Sequence, residues 1–408
     1  MFTRNKSSIL FLLILVSLLI LPVSCGGQKA KEKVSVVRVG VLFPLTGDLA
    51  SIGKDNKNGV VLAAEEINAA GGIKALDGAK LELVFGDTQG NPDVSVQEVQ
   101  RLIEEEKVVA IIGAYQSSVT KPATQEAERL ETPFIVSMAV ADVITERGFR
   151  YVFRICPKAK FYGRDQVRFF ADLADLAGYP VQRVALLHEN TDFGTSIALA
   201  QKQAAQESGM EVVIEVSYTA EGATDLSAEV AQVLAAQPDA ILEATYLNDS
   251  ILIARALAAA NAHIPLSDAA GGTVYPEYIQ QLGPLAEGTF TQIEYSKYAP
   301  GGKELNDRFQ ARFGADITGN SAYAYQAMLV LQDALERART LDKEKLREAL
   351  AATDLPRGPQ MIMPAERLRF DAENQNESAT LFMVQIQDGE LVPVWPAEYA
   401  TAPVRMQK

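Results

Sequence analysis

Val36-Val37-Arg38-Val39-Gly40-Val41-Leu42-Phe43, followed by Gly53 to Asn68 and then Leu81 to Phe85, decides the architecture of this chain. The first run is apolar and β-branched on both faces, as a strand buried inside a parallel sheet must be. The second places Val60, Val61, Ala64 and Ile67 on one side at helical spacing, and Gly71-Gly72 stops it. The third is again a short apolar strand. Strand, helix, strand in this order is a crossover unit, the only simple way to lay two neighbouring strands parallel.

The same alternation runs outward from this stretch. Pro92 to Glu106 reads as a helix with proline in its first turn. Val108 to Ile112 is a strand, Ser118 to Arg129 a helix, and Phe134 to Val136 and Tyr151 to Ile155 are strands. A second series then begins. Its predicted helices are Gly163 to Leu176, Gly194 to Gly209, Asp225 to Ala236 and Ser250 to Ala260. Its predicted strands are Val184 to Leu187, Met210 to Val216, Ala240 to Ala244 and Ile264 to Leu266. The fold class is therefore α/β, with two doubly wound parallel-sheet lobes. At 408 residues the chain exceeds what one core normally holds. Its last third differs: helices over Glu304 to Phe313, Ser321 to Arg339 and Asp342 to Ala352, then strands Thr380 to Gln387 and Leu391 to Trp395. Asp388-Gly389-Glu390 supplies the hairpin turn between them. Such a block predicts that the chain crosses back to complete each lobe.

The amino-terminal segment stands apart. Arg4 and Lys6 precede an apolar run of about 13 residues, Ile9 to Leu21, the length of a signal-peptide core and too short to span a bilayer. Leu21-Pro22-Val23-Ser24-Cys25-Gly26-Gly27 resembles a bacterial lipobox, with Pro22 where Leu is usual. Residues 1–24 are read as a lipoprotein signal peptide, Cys25 as the lipidated residue, and 25–35 as a flexible tether. The remaining cysteine, Cys156, has no partner for a disulfide and follows an apolar strand, so it reads as a buried structural thiol.

Composition excludes several functions. The net charge of −14 disfavours a nucleic-acid partner, because phosphate backbones call for clustered lysine and arginine. Only His188 and His263 are present, and neither sits in a set with metal-ligand spacing, so no metal and no other cofactor is expected. Ser118-Val119-Thr120-Lys121 fits the Ser-x-x-Lys nucleophile motif, but no Lys-Thr-Gly accompanies it. Gly47 to Asp55 approaches a phosphate-binding loop, yet has one residue too many between its glycines and Asp55 in place of the Ser/Thr. No catalytic residue is assigned, and the chain is not expected to be an enzyme.

Read together and in order, Gly40-Val41-Leu42-Phe43-Pro44-Leu45-Thr46-Gly47, Ala64-Glu65-Glu66-Ile67-Asn68, Asp87, Gly113 to Thr120, Phe153-Arg154, Asp192-Phe193-Gly194, Thr224-Asp225-Leu226-Ser227, Gln237-Pro238-Asp239-Ala240 and Ala286-Glu287-Gly288 resemble the leucine/isoleucine/valine-binding proteins, which have the type I periplasmic binding fold. The resemblance spans essentially the whole chain after the leader. It implies two lobes joined by a three-crossover hinge, a small ligand in the cleft, and no chemistry performed on it. It also implies a monomer, periplasmic or at the cell surface, that meets the membrane only through its lipid anchor. Its partner would be an inner-membrane ABC permease with its ATPase subunits. A ligand-sensing receptor of the same fold, coupled to a signalling partner, is the alternative. The lobes are expected over 36–156 with 294–360 and over 157–293 with 361–396, leaving 397–408 as a tail. Crossings are expected near Cys156, near Ile293 and within Pro356 to Pro364.

The ligand residues follow from the same resemblance and from the chemistry of an amino acid or related carboxylate. Ser117 and Ser118 lie between a strand and a helix, where a helix N-terminus favours an anion; the competing role for either is a helix cap. Ala139 and Ala141 stand in the loop that holds both ligand ends in the family, with Ala141 where a threonine hydroxyl is usual. Asp268 is the acid nearest the place of the ammonium partner. Tyr115, Phe193, Tyr246 and Tyr323 are candidate aromatic walls, and Ile52 occupies an aromatic position of the family with an aliphatic side chain.

Overall fold

The computed structural model describes residues 34–269, 271–298 and 301–406. The expected signal peptide and Cys25 lie outside the described residues. The first lobe starts with β1 (Val36–Phe43), α1 (Ala50–Ala69), β2 (Lys80–Asp87) and α2 (Pro92–Gln100). It continues with β3 (Ala110–Gly113), α3 (Ser117–Arg129), β4 (Phe134–Val136) and β5 (Val152–Arg154). Its five strands are all parallel, in the order β2-β1-β3-β4-β5. The helix expected from Pro92 to Glu106 ends at Gln100 and runs on as a wider π turn over Arg101–Glu105.

After β5 the chain enters the second lobe. There α4 (Ala159–Ala177), β6 (Arg183–Glu189), α5 (Asp192–Glu207) and β7 (Glu211–Tyr218) are followed by α6 (Ser227–Ala235), β8 (Ala240–Ala244), α7 (Leu247–Ala259) and β9 (Leu266–Asp268). Then come α8 (Pro276–Leu282) and β10 (Phe290–Ile293). The sequence pattern did not reveal α8, which has only two buried residues, too few to mark a helical stripe.

Past Ile293 the chain returns to the first lobe as α9 (Gly302–Phe313), α10 (Gly319–Ala338) and α11 (Lys343–Ala351). α10 packs along α1, and Arg308 and Arg312 of α9 pair with Glu66 and Glu65 of α1. A small antiparallel pair, β11 (Asp354–Pro356) and β12 (Arg367–Arg369), stays with this lobe: Gln326 of α10 hydrogen-bonds to Gln360 and Ile362. Gln375 then bridges Arg154 of β5. Only afterwards do β13 (Phe382–Gln387) and β14 (Glu390–Trp395) join the second sheet, in the order β14-β13-β10-β9-β8-β6-β7. The third crossing therefore lies between Asn376 and Phe382 and not within Pro356 to Pro364; the prolines there belong to the small sheet and its loop. Asp388 and Gly389 turn the last hairpin with positive φ at both positions (56° and 77°), as the tight turn requires. Residues beyond 396 are not a loose tail: Gln385 of β13 exchanges hydrogen bonds with the backbone of Arg405, and Val404 and Met406 pack against the second lobe's core.

Candidate functional site

The carboxyl ends of the parallel strands in both lobes face each other. In an open α/β sheet this is the edge where ligands bind, because the chain leaves each strand there and the next helix starts with free N–H groups. A small cavity lies between them, pinched by the closed lobes. The first lobe contributes Tyr115 and Ser117 after β3 and Met138 and Val140 after β4. The second contributes Tyr162 of α4, Phe193 of α5, Tyr246 after β8, and Ala269 and Gly271 after β9. A larger hollow near Tyr179, His263 and Pro284 lies at the opposite, amino-terminal edge of the second sheet. It holds none of the converging helix N-termini.

The lobes are closed on this cavity. Tyr115 and Tyr246 meet across the cleft with ring centres 6.0 Å apart, and Phe193 stacks on Tyr246 at 5.2 Å. The Tyr275 hydroxyl of the second lobe reaches Asn320 of α10. At the rim Lys121 of α3 donates to Asp192 of α5 at 2.9 Å. Within the second lobe, Gly271 lets the loop after β9 lie on the loop after β8: a Cβ there would fall 1.8 Å from the Thr245 carbonyl oxygen.

Ser117 stands in the first turn of α3, a 13-residue helix capped by Gln116 without a side-chain cap bond. Its hydroxyl accepts the Ala141 N–H at 3.2 Å and keeps its own proton free to donate. Neither serine is the cap. Ser118 is half-exposed and does not reach the cavity wall.

The loop after β4 shows how extended backbone sorts its side chains. Met138 and Val140 turn to the cavity, while Ala139 and Ala141 turn the other way into a separate core with Val136 and Ile144. The two alanines thus serve through their backbone. Their carbonyls accept from the fully buried Arg154 guanidinium at 3.2 Å and 2.7 Å; the same group donates to Thr145 and Gln375. Cys156 lies beside this loop as a buried thiol, its pKa pushed up to about 12 by burial.

Asp268 is placed differently from the sequence expectation. The strand predicted at Ile264 to Leu266 runs instead over Leu266–Asp268, so Asp268 belongs to the sheet and not to the loop beyond it. Its carboxylate accepts from the backbone and hydroxyl of Thr245, from Gly271 N–H, and from the backbone and hydroxyl of Thr273. It does not line the cavity. Ile52 and Tyr323 are likewise buried and do not line the cavity. His188 lies buried against Glu189 and Glu215. Tyr115, Ser117, Phe193 and Tyr246 are the expected residues that the fold brings together.

Tyr162 was missed because the predicted helix began one residue later, at Gly163, whereas α4 starts at Ala159. Its hydroxyl donates to Glu294, the first residue past β10, at a crossing between the lobes. Burial pushes the Glu294 carboxyl up to about 7 against that hydrogen bond.

The described architecture has counterparts among known proteins. Residues 36–390 match the periplasmic binding protein family. The Leu/Ile/Val-binding protein homolog 8 of Brucella abortus is 32% identical over 385 residues, covering 91% of this chain and 93% of that protein. The chain belongs to the periplasmic binding protein family. This binding protein also shares its fold with a leucine-binding protein, LivK, of Thermotoga maritima, with a TM-score of 0.78 at 24% identity over 88% of this chain and 98% of that one. A second match is LivJ of Streptococcus pneumoniae in complex with isoleucine, with a TM-score of 0.77 at 23% identity over 87% and 97%. The family is one of substrate-binding proteins of transporters, not enzymes, and its members act outside the cytoplasm. Among the described residues of this binding protein no helix is long and apolar enough to cross a membrane.

Proposed function

We propose that this protein is the exported, lipid-anchored substrate-binding component of an ABC importer. In this reading Cys25 carries the lipid and the leader before it is removed. The cleft captures an amino acid, branched-chain or related, or a similar small carboxylate, and the closed protein delivers it as a monomer to an inner-membrane permease. The observation that carries the reading is the interlobe cavity with the Ser117 hydroxyl in the first turn of α3, where the helix dipole and a ready donor favour a carboxylate. Family membership supports it, as do relatives named for leucine, isoleucine and valine. Closure would follow ligand binding on the first lobe, because contacts from Tyr162, Phe193 and Tyr246 exist only when the second lobe arrives.

The test is titration calorimetry of a Ser117→Ala variant against whichever amino acid or carboxylate raises the melting temperature of the wild type. Loss of the hydroxyl is expected to weaken binding by about 1–3 kcal/mol, the range for a hydrogen bond to a charged group. Unchanged affinity in a folded variant would falsify the assignment.

A further inference from the structure

The cavity narrows the ligand class, on the footing of the function proposed above. An amino acid carries two charges into a closed cleft, and each needs a partner there once water has left. The two ends of this cleft do not offer equal terms.

The anion end is well furnished. Ser117 can donate its hydroxyl proton, and α3 directs its amino end the same way. Behind the Met138–Val140 wall lies Arg154, a fully buried cation whose hydrogen bonds all go to carbonyl, amide or hydroxyl oxygens and none to a carboxylate. Its contact with the Ala139 carbonyl sets the direction of that peptide unit. In a trans peptide the Val140 N–H then points away from the guanidinium, and Val140 lines the cavity.

The cation end is not furnished. No acidic side chain lines the cavity among the described residues. The run Ser267-Asp268-Ala269-Ala270-Gly271 holds a single acid. That acid, Asp268, is occupied by the Thr245, Gly271 and Thr273 donors. Glu294 accepts from Tyr162, and its second oxygen lies against Gly319 at the start of α10. The aromatic rings pack on one another across the cleft and do not stand apart around a cation.

We propose that this cleft selects a small carboxylate without an ammonium group over the amino acid of the same skeleton. The anion meets a helix N-terminus and a hydroxyl, beside a loop whose carbonyls a buried guanidinium holds. The rest of the ligand meets Met138, Val140, Phe193 and Ala269.

The experiment is calorimetric titration of the purified protein, freed of carried ligand, with matched pairs: butanoate and 2-aminobutanoate, 4-methylpentanoate and leucine, 3-phenylpropanoate and phenylalanine. In the pair that binds most tightly, the amine-free acid is expected to bind at least about tenfold tighter. An amino acid that binds as tightly as its partner, or glycine betaine binding more tightly than all of them, overturns the proposal and leaves the importer reading in place. Silence from every probe overturns both. An Ala269→Glu variant sets a carboxylate on the cavity wall and is expected to move the preference toward the amino member by about tenfold or more. An unchanged preference in the folded variant counts against the proposal, and the wild-type comparison decides if the variant does not fold.

Discussion

Each lobe buries an ionisable side chain in its sheet, and the two are treated in opposite ways. In the first lobe, Arg154 ends β5 fully buried, and its guanidinium donates to four oxygens on three separate segments: the β4 loop, Thr145 and Gln375. In the second lobe, Glu243 of β8 is equally buried, but neither of its carboxyl oxygens has a hydrogen-bond partner among the described residues. It lies in register with Asp268 on β9. Burial, with Asp268 and Asp249 nearby, pushes its pKa well above the ordinary glutamate value. The contrast separates two uses of a buried polar group. Arg154 joins the loop after β4 to Thr145 and Gln375, and these hydrogen bonds offset its desolvation. Glu243 gains no side-chain hydrogen bond to offset its burial.

The comparison can be broken at its strong side first. Arg154→Met should cost about 3–5 kcal/mol of stability, because it strands the Ala139 and Ala141 carbonyls and the Gln375 side chain. Denaturant unfolding would measure it, and a loss under about 1 kcal/mol would show that these oxygens find other donors. Glu243→Met tests the weak side and should stabilise by about 1–3 kcal/mol, the usual cost of an unpartnered buried polar group. The sign with pH follows from its raised folded-state value. The folded protein holds this proton more tightly than the unfolded chain, so stability falls as pH rises above the ordinary glutamate pKa. The Met variant should lose part of that slope in melting temperature measured between pH 4 and 8; an unaltered slope would mean that another group carries it. The smallest effect is expected at the rim. The Lys121–Asp192 pair joins the lobes but is partly exposed, at 41% and 31% of its side chains. Lys121→Ala should therefore weaken ligand binding by only about 0.2–1 kcal/mol, and by less in high salt.

These differences also mark where sequence reading stops. Val36 to Phe43, Phe134 to Val136 and Ala240 to Ala244 were legible to the residue, because each is a mostly apolar run, broken only by Arg38 in the first and Glu243 in the third. Ser117, Phe193 and Tyr246 were legible through the family resemblance, and Tyr115 as an aromatic just beyond β3. Met138 and Val140 were hidden by a question of phase: in extended backbone a shift of one residue exchanges the two faces, and the alanines beside them took their place. Asp268 was hidden by a strand boundary that moved two residues, enough to turn a loop acid into one bound within the sheet. Tyr162 was hidden by a helix start.

What the sequence determined by itself is the alternation of strands and helices over most of the chain, though not α8 or β10, hence two sheets dominated by parallel strands and the edge at which a ligand sits, since apolar periodicity and crossover geometry are local properties of the chain. What only the tertiary structure decided is which side chains face that edge and which donors and acceptors are already occupied. Those depend on partners far away in sequence, such as Gln375 for Arg154 and Tyr162 for Glu294, whose contacts exist only once the chain has folded.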